Sequence, residues 1–214
     1  MRLLPDDVLL VVDVQQDFLP GGALAVPDGD AVVAPINRLA PLFGHVLLTQ
    51  DWHPAGHVSF AASHPGRAPF DAIELSYGRQ VLWPTHCVQG TAGAAFAPGL
   101  DLPGAELVIR KGFRPGVDSY SAFMEADRRT PTGLAGYLRE RGLRRLFLAG
   151  LATDFCVAWS ATDARAAGFE AVVVEDACRG INAAGSLDQA WRTMGEAGVG
   201  RVDSTELLPP CLGR

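Results

Sequence analysis

Cysteine is scarce in this chain of 214 residues. Cys87, Cys156, Cys178 and Cys211 share no paired spacing and form no C-x-x-C. That pattern argues against a disulfide framework and a dithiol redox site, and points to reduced thiols in a cytoplasmic protein. Basic charge is in deficit as well: 18 Lys+Arg against 24 Asp+Glu leave a formal charge of −6. Neither nucleic acid nor an anionic membrane is expected as a partner. Long hydrophobic runs are missing too. No stretch approaches the length of a transmembrane helix, and Val8–Val12 is too short and too soon interrupted for a signal peptide. With no internal repeat and no linker, residues 1–214 are expected to form one α/β domain.

What is present is a set of short, branched apolar runs, each stopping on a residue capable of chemistry. Val8–Val12 ends on Asp13, Val46–Leu48 on Thr49-Gln50-Asp51-Trp52-His53, Leu107–Ile109 on Arg110-Lys111, and Leu146–Ala149 on the segment Gly150 to Cys156. Such runs, followed by helical patterns, read as buried parallel strands. In an open parallel sheet the ligand crevice lies outside the carboxyl ends of the strands. The expected fold is a three-layer domain: an open, mostly parallel sheet of about six strands with helices on both faces.

The predicted strands are Val8–Asp13, His45–Gln50, Glu106–Lys111, Arg145–Ala149, Ala171–Val174 and a short Arg201–Asp203. Helices are predicted near Asp30–Leu42, Thr132–Arg141 (Thr130 as N-cap, Pro131 first), Asp154–Ala167, and from Ser186, where Ser186-Leu187-Asp188-Gln189 fits a capping box. The segment from Asp51 to Gly104 is rich in Pro, Gly and His with little periodicity; loops that long are usually functional.

Cys156 is predicted at the first turn of a helix that follows a buried strand. Unpaired N–H groups and the helix dipole there would stabilise a thiolate and could receive an oxyanion. Lys111 could depress the thiol pKa further and Asp13 could take its proton, if their strands are neighbours. Each residue alone has a blander reading: a small packed cysteine, a turn aspartate, a solvated lysine. Their joint arrival at one sheet edge favours the chemical one. Asp51 and His53, two apart in extended chain, point to the same side and suit Zn²⁺, Fe²⁺ or Mn²⁺ with a distant histidine, His57 or His86, from the long loop. Cys87, Cys178 and Cys211 are read as structural.

Several stretches, in order and spanning nearly the whole chain, carry a resemblance. They are Val12-Asp13-Val14-Gln15-Gln16-Asp17-Phe18 with Gly21 to Val26, Thr49 to Pro54 with His57-Val58-Ser59-Phe60, Trp83 to Val88 with Gly90-Thr91, Lys111-Gly112 with Asp118 to Phe123, and Gly150 to Val157. In these the sequence resembles the isochorismatase-like cysteine hydrolases, and the Asp51/His53/His86 pattern resembles their nicotinamidase branch. The resemblance implies a triad of Asp13 as base, Lys111 as electrostatic support and Cys156 as nucleophile. It implies an oxyanion hole from the backbone N–H groups of Ala152 and Cys156, with a cis peptide between Ala152 and Thr153. The implied metal ligands are Asp51, His53 and His86, with His57 a fourth in some members only, and the implied cofactor is one divalent transition metal (Zn, Fe or Mn). Phe18, Trp83 and Tyr120 match the residues lining the substrate ring pocket. The chain departs from the common pattern at Gln16, where many members have Asn, and at Thr85, where a second Pro is frequent.

The activity so implied is hydrolysis of nicotinamide to nicotinate and ammonia through a cysteine thioester, in NAD salvage, with pyrazinamide as a further candidate substrate and a homo-oligomer left open. Two other readings stay in view. One is a related amidase acting on a carbamoyl or ureido compound; the other is a non-catalytic metal-binding domain of the same fold.

Overall fold

The structure is a computed structural model that describes residues 1–208; Cys211 lies outside the described residues. In chain order the strands are β1 (Asp7–Val12), β2 (His45–Asp51), β3 (Ala72–Leu75), β4 (Gly78–Val81), β5 (Ala105–Lys111), β6 (Arg145–Leu151), β7 (Glu170–Arg179) and β8 (Gly200–Val202). The helices are α1 (Val33–Leu39), α2 (Leu134–Glu140), α3 (Ala158–Ala166) and α4 (Ser186–Glu196). Six strands form one sheet in the order β5-β2-β1-β6-β7-β8, parallel throughout. The four strands that end in chemistry are therefore neighbours, with β1 and β6 side by side at the centre.

Why the runs read as continuous apolar stretches is visible in how they pack. Leu9 and Val11 of β1 belong to a core shared with Val32, Ile36 and Leu39 around α1. Val8, Leu10 and Val12 point the other way, into a core with Leu134 and Leu138 of α2, Ala161 and Ala164 of α3 and Met194 of α4. A strand covered on both faces has no position for a polar side chain until it leaves the sheet. Gly150 lets β1 and β6 approach closely: a Cβ there would lie 2.1 Å from the Val12 carbonyl oxygen, at a φ of +122°.

Several elements differ from the sequence expectation. β7 runs on through Glu175 and Asp176, because Glu175 pairs with Arg201 and Asp176 accepts from Ser204. Helix α2 starts at Leu134 after a left-handed Gly133, and the Thr130 hydroxyl bonds Asp127 instead of capping. No side-chain cap closes α4, since the Ser186 hydroxyl donates to Asp154; the capping box sits instead at Asp203 and Glu206. The segment 51–104 holds an antiparallel hairpin of β3 and β4. Among the described residues no helix is long and apolar enough to cross a membrane.

Candidate active site

The parallel register delivers the side chains in pairs. Asp51 and Lys111 are direct partners across β2 and β5, and Asp13 follows the end of β1 at a φ of +47°, a left-handed conformation that aspartate tolerates better than most residues. One wide helical turn, Thr153–Val157 with π-type hydrogen bonding, leads from β6 into α3 and carries Cys156. Single π turns inside helices frequently mark functional sites.

Lys111 is the hub. Its Nζ lies 2.7 Å from Asp13 Oδ2 and 3.3 Å from Cys156 Sγ. It donates to the Ser119 carbonyl at 3.2 Å and is ion-paired with Asp51 Oδ1. Burial alone would lower the lysine pKa, but the charges of Asp13 and Asp51 outweigh it and hold the ammonium well above its usual value. Burial raises the Asp13 carboxyl despite Lys111. It also pushes the Cys156 thiol well up, against the pull of Lys111. Burial at the sulfur thus works against the thiolate that Lys111 favours. Asp13, whose raised pKa suits it to accept a proton, has a carboxylate oxygen within 4.8 Å of the Cys156 sulfur. The Thr49 hydroxyl donates to Asp13 Oδ1 at 2.6 Å and fixes that carboxylate.

Asp51 divides its two oxygens. While Oδ1 holds Lys111, Oδ2 lies 3.6 Å from His53 Nε2 and 3.8 Å from His86 Nε2. The Nδ1–H of His53 donates to the Gly112 carbonyl at 2.9 Å, and that of His86 to the Pro84 carbonyl at 2.8 Å. Both Nε2 lone pairs are thereby turned toward the carboxylate, the outer-shell arrangement found around metal-ligating histidines. The three ligand atoms lie within 4.8 Å of one another, so this donor set fits a divalent transition metal. His57 is engaged elsewhere. Its Nε2–H donates to the carbonyls of Arg114 and Val117 at 3.0 and 3.1 Å, and its Nδ1 accepts from the Ser59 hydroxyl at 2.7 Å.

A small cleft reaches both sets, at Cys156 and at Asp51, His53 and His86, and is lined also by Phe18, Trp83, Tyr120 and Phe155. Ala152 lines it as well. The cis peptide is Leu151–Ala152 and not Ala152–Thr153, because β6 stays paired through Leu151 and the chain turns immediately after it.

Residues 7–206 match the isochorismatase domain family. The chain belongs to this family. It is 56% identical over 208 residues to a nicotinamidase of Acinetobacter baylyi, covering 97% of each chain. Among solved structures it superposes on a nicotinamidase/pyrazinamidase of Acinetobacter baumanii with a TM-score of 0.95 and 59% identity, over 96% of this chain and 99% of that one. It also superposes on a pyrazinamidase of Pyrococcus horikoshii in complex with zinc, with a TM-score of 0.76 and 35% identity, over 93% and 99% of the two chains.

For this isochorismatase-family chain the structure brings together every residue singled out from the sequence, His57 standing beside His53 with ring centroids 4.4 Å apart. Sequence reasoning missed the supporting polar residues. The buried Gln15 amide donates to the Asp51 carbonyl and accepts from the Asp51 N–H, both at 2.8 Å. Thr49 holds Asp13, and Asp17 accepts from the Cys87 N–H at 2.7 Å next to His86. Leu24, Asp118, Phe155 and Ile181 complete the lining of the cleft. One signal was available in the composition: Lys111 is the only lysine among 18 Lys+Arg.

Proposed function

We propose that this chain is an amide hydrolase converting nicotinamide to nicotinate and ammonia, a step of NAD salvage, with Asp13, Lys111 and Cys156 as its catalytic residues. The observation that carries the reading is the position of Lys111 Nζ, 2.7 Å from the Asp13 carboxylate and 3.3 Å from the Cys156 thiol, with that thiol lining an aromatic cleft. The substrate ring lies between Phe18 and Trp83, near Tyr120, with the carboxamide toward Cys156. Asp13 takes the thiol proton as sulfur attacks the carboxamide carbon. Lys111 offsets the negative charge that moves between them. The backbone N–H groups of Ala152 and Cys156 receive the oxyanion, each donor contributing about 3–4 kcal/mol in comparable sites. Asp13 then protonates the departing ammonia, leaving a thioester on Cys156, and afterwards draws a proton from water as that thioester is hydrolysed to nicotinate.

Asp51, His53 and His86 would hold one zinc, iron or manganese ion. When bound, such an ion supplies a Lewis-acid contact and an ordered water at the ring side of the cleft. His57 is outside that set in our reading, since both of its nitrogens already have partners. Pyrazinamide is a second substrate, and the cytoplasm, where Cys87, Cys156 and Cys178, free cysteines among the described residues, stay reduced, is the proposed location.

The test is ammonia release from nicotinamide and pyrazinamide against a panel of carbamoyl and ureido compounds, with metal analysis of the same sample. Release from the pyridine and pyrazine carboxamides, with about one transition metal per chain, is expected. Preference for a ureido compound, or activity without bound metal, would overturn the assignment.

A further inference from the structure

Three consecutive carbonyls hold the loop beyond His86 to the turn that follows β1. Those of Gly93, Ala94 and Ala95 accept from the Asp17 N–H at 3.0 Å, the Gln15 amide at 2.9 Å and the Gln16 N–H at 2.9 Å. From this frame the half-buried Asp17 side chain reaches the start of the same loop. Its Oδ2 accepts from the Cys87 N–H at 2.7 Å, and its Oδ1 from the Ala23 N–H at 3.3 Å. The Cys87 N–H belongs to the peptide group that carries the His86 carbonyl, so this bond fixes the backbone of that histidine. Cys87 itself is fully buried and left-handed, with a φ of +45°, an uncommon conformation for a residue other than glycine. Its carbonyl accepts from the His53 N–H at 3.0 Å. Cys87 is thus tied to Asp17 on one side and to a second proposed metal ligand on the other. Gly93 completes the arrangement. A Cβ there would lie 2.1 Å from Asp17 Oδ2 and 2.4 Å from Oδ1, so the carboxylate keeps its place because position 93 has no side chain.

We infer that Asp17 is a positioning residue for the metal-ligand set: by clamping the Cys87 N–H it holds His86 beside Asp51 and His53, in place for a divalent transition metal. This rests on the reading of those three residues as metal ligands. The bond from His86 Nδ1–H to the Pro84 carbonyl turns the imidazole; the clamp sets where its backbone stands. Asp17 supplies no ligand atom to the set of Asp51, His53 and His86 and acts on it through the chain. Its oxygen, not its charge, is the working part, because the partner is a backbone N–H.

The measurement is the zinc affinity of the full chain, by competition with a chromophoric chelator. It compares the parent with Asp17→Ala, Asp17→Asn, Gly93→Ala, the double variant of Asp17→Ala with Gly93→Ala, and His86→Ala. Removing a group that supports a metal ligand weakens affinity about 10- to 100-fold, and Asp17→Ala should fall at the lower end of that range. Asp17→Asn keeps a side-chain oxygen for the Cys87 N–H and should bind within about threefold of the parent. Gly93→Ala should lose about as much as Asp17→Ala, because its methyl group takes the space of the carboxylate. The double variant should bind within about twofold of Asp17→Ala alone, since the methyl group then has nothing to displace. Losses that multiply in the double variant, an Asp17→Asn protein as weak as Asp17→Ala, or an Asp17→Ala protein as tight as the parent would overturn the inference. If Asp17→Ala fails to fold, Gly93→Ala carries the test, and parent-like affinity in it overturns the proposal. His86→Ala separates the two readings. Zinc binding as tight as the parent's in that variant would remove the metal-ligand reading and the inference with it; a loss there without a loss in Asp17→Ala would remove the inference alone.

Discussion

Lys111 Nζ faces Asp13, Asp51 and Cys156 from a position that is 1% exposed, and no other basic residue type could occupy it. An arginine fork is larger, planar and unable to sit as a point charge among three groups. Lys111→Arg should therefore lose at least about a hundredfold in kcat/KM, scored by ammonia release, while parent-like activity would remove the lysine from the mechanism. Gly112, beside it, has a φ of +65°, and a Cβ there would come within 2.4 Å of the His53 ring. Gly112→Ala should displace that imidazole and lower bound metal in elemental analysis, with Cys156 still present to react with a thiol reagent. Thr49 supplies a titration test. Burial raises the Asp13 pKa, so the base form is present above that raised value and is lost as pH falls through it. The Thr49 hydroxyl favours the charged carboxylate; Thr49→Val should shift the acid limb of kcat/KM in metal-loaded enzyme to higher pH. An unmoved limb would mean that Asp13 is not the titrating base.

Among the elements, the strands were the legible part and the loops the illegible one. Branched apolar runs such as Val8–Val12 are buried on both faces and cannot be mistaken for surface segments. Where they end is where polar groups become affordable, so Asp13, Asp51, Lys111 and Cys156 could be read from the chain. The extension of β7 could not, because Glu175 and Asp176 are satisfied by Arg201 and Ser204, 26 and 28 residues later. Gln15 and Thr49 were hidden for the same reason: their partners are brought to them by the fold, and nothing in local spacing announces it. The segment Gly180–Ser186 is another such case. The Asp154 carboxylate, two residues before Cys156, accepts from the N–H groups of Ile181 and Asn182 at 2.9 and 2.8 Å and from the Ser186 hydroxyl. It straps a wall residue of the cleft, Ile181, to the turn that carries the thiol. Asp154→Ala removes the acceptor of two part-buried N–H groups, at a cost of about 1 kcal/mol each. Hydrogen exchange should rise in 181–186 and KM for nicotinamide should increase, with metal content unchanged; protection equal to the parent would show that the strap is dispensable.

At the scale of the whole molecule, the sheet order explains why the site is where it is. From β1 the chain moves outward to β2 and β5, then returns to place β6 on the other flank of β1. The crevice at such a reversal is the usual ligand position in open α/β sheets, and here Asp13 and Cys156 stand on its two sides. Lys111 and Asp51 reach in from the β2–β5 flank, which ties the thiol site and the metal-ligand set to one ammonium group. The long segment between β2 and β5 contributes Trp83 and His86, so one aromatic wall of the cleft and one proposed metal ligand come from the same stretch of chain. The central claim is that the sulfur of Cys156 breaks the amide. Its most direct test is ammonia release from nicotinamide by the parent protein and by Cys156→Ala, both metal-loaded and with matched melting temperatures. The parent should release ammonia and nicotinate in equal amounts and the variant none above background; a variant with substantial activity would contradict the account.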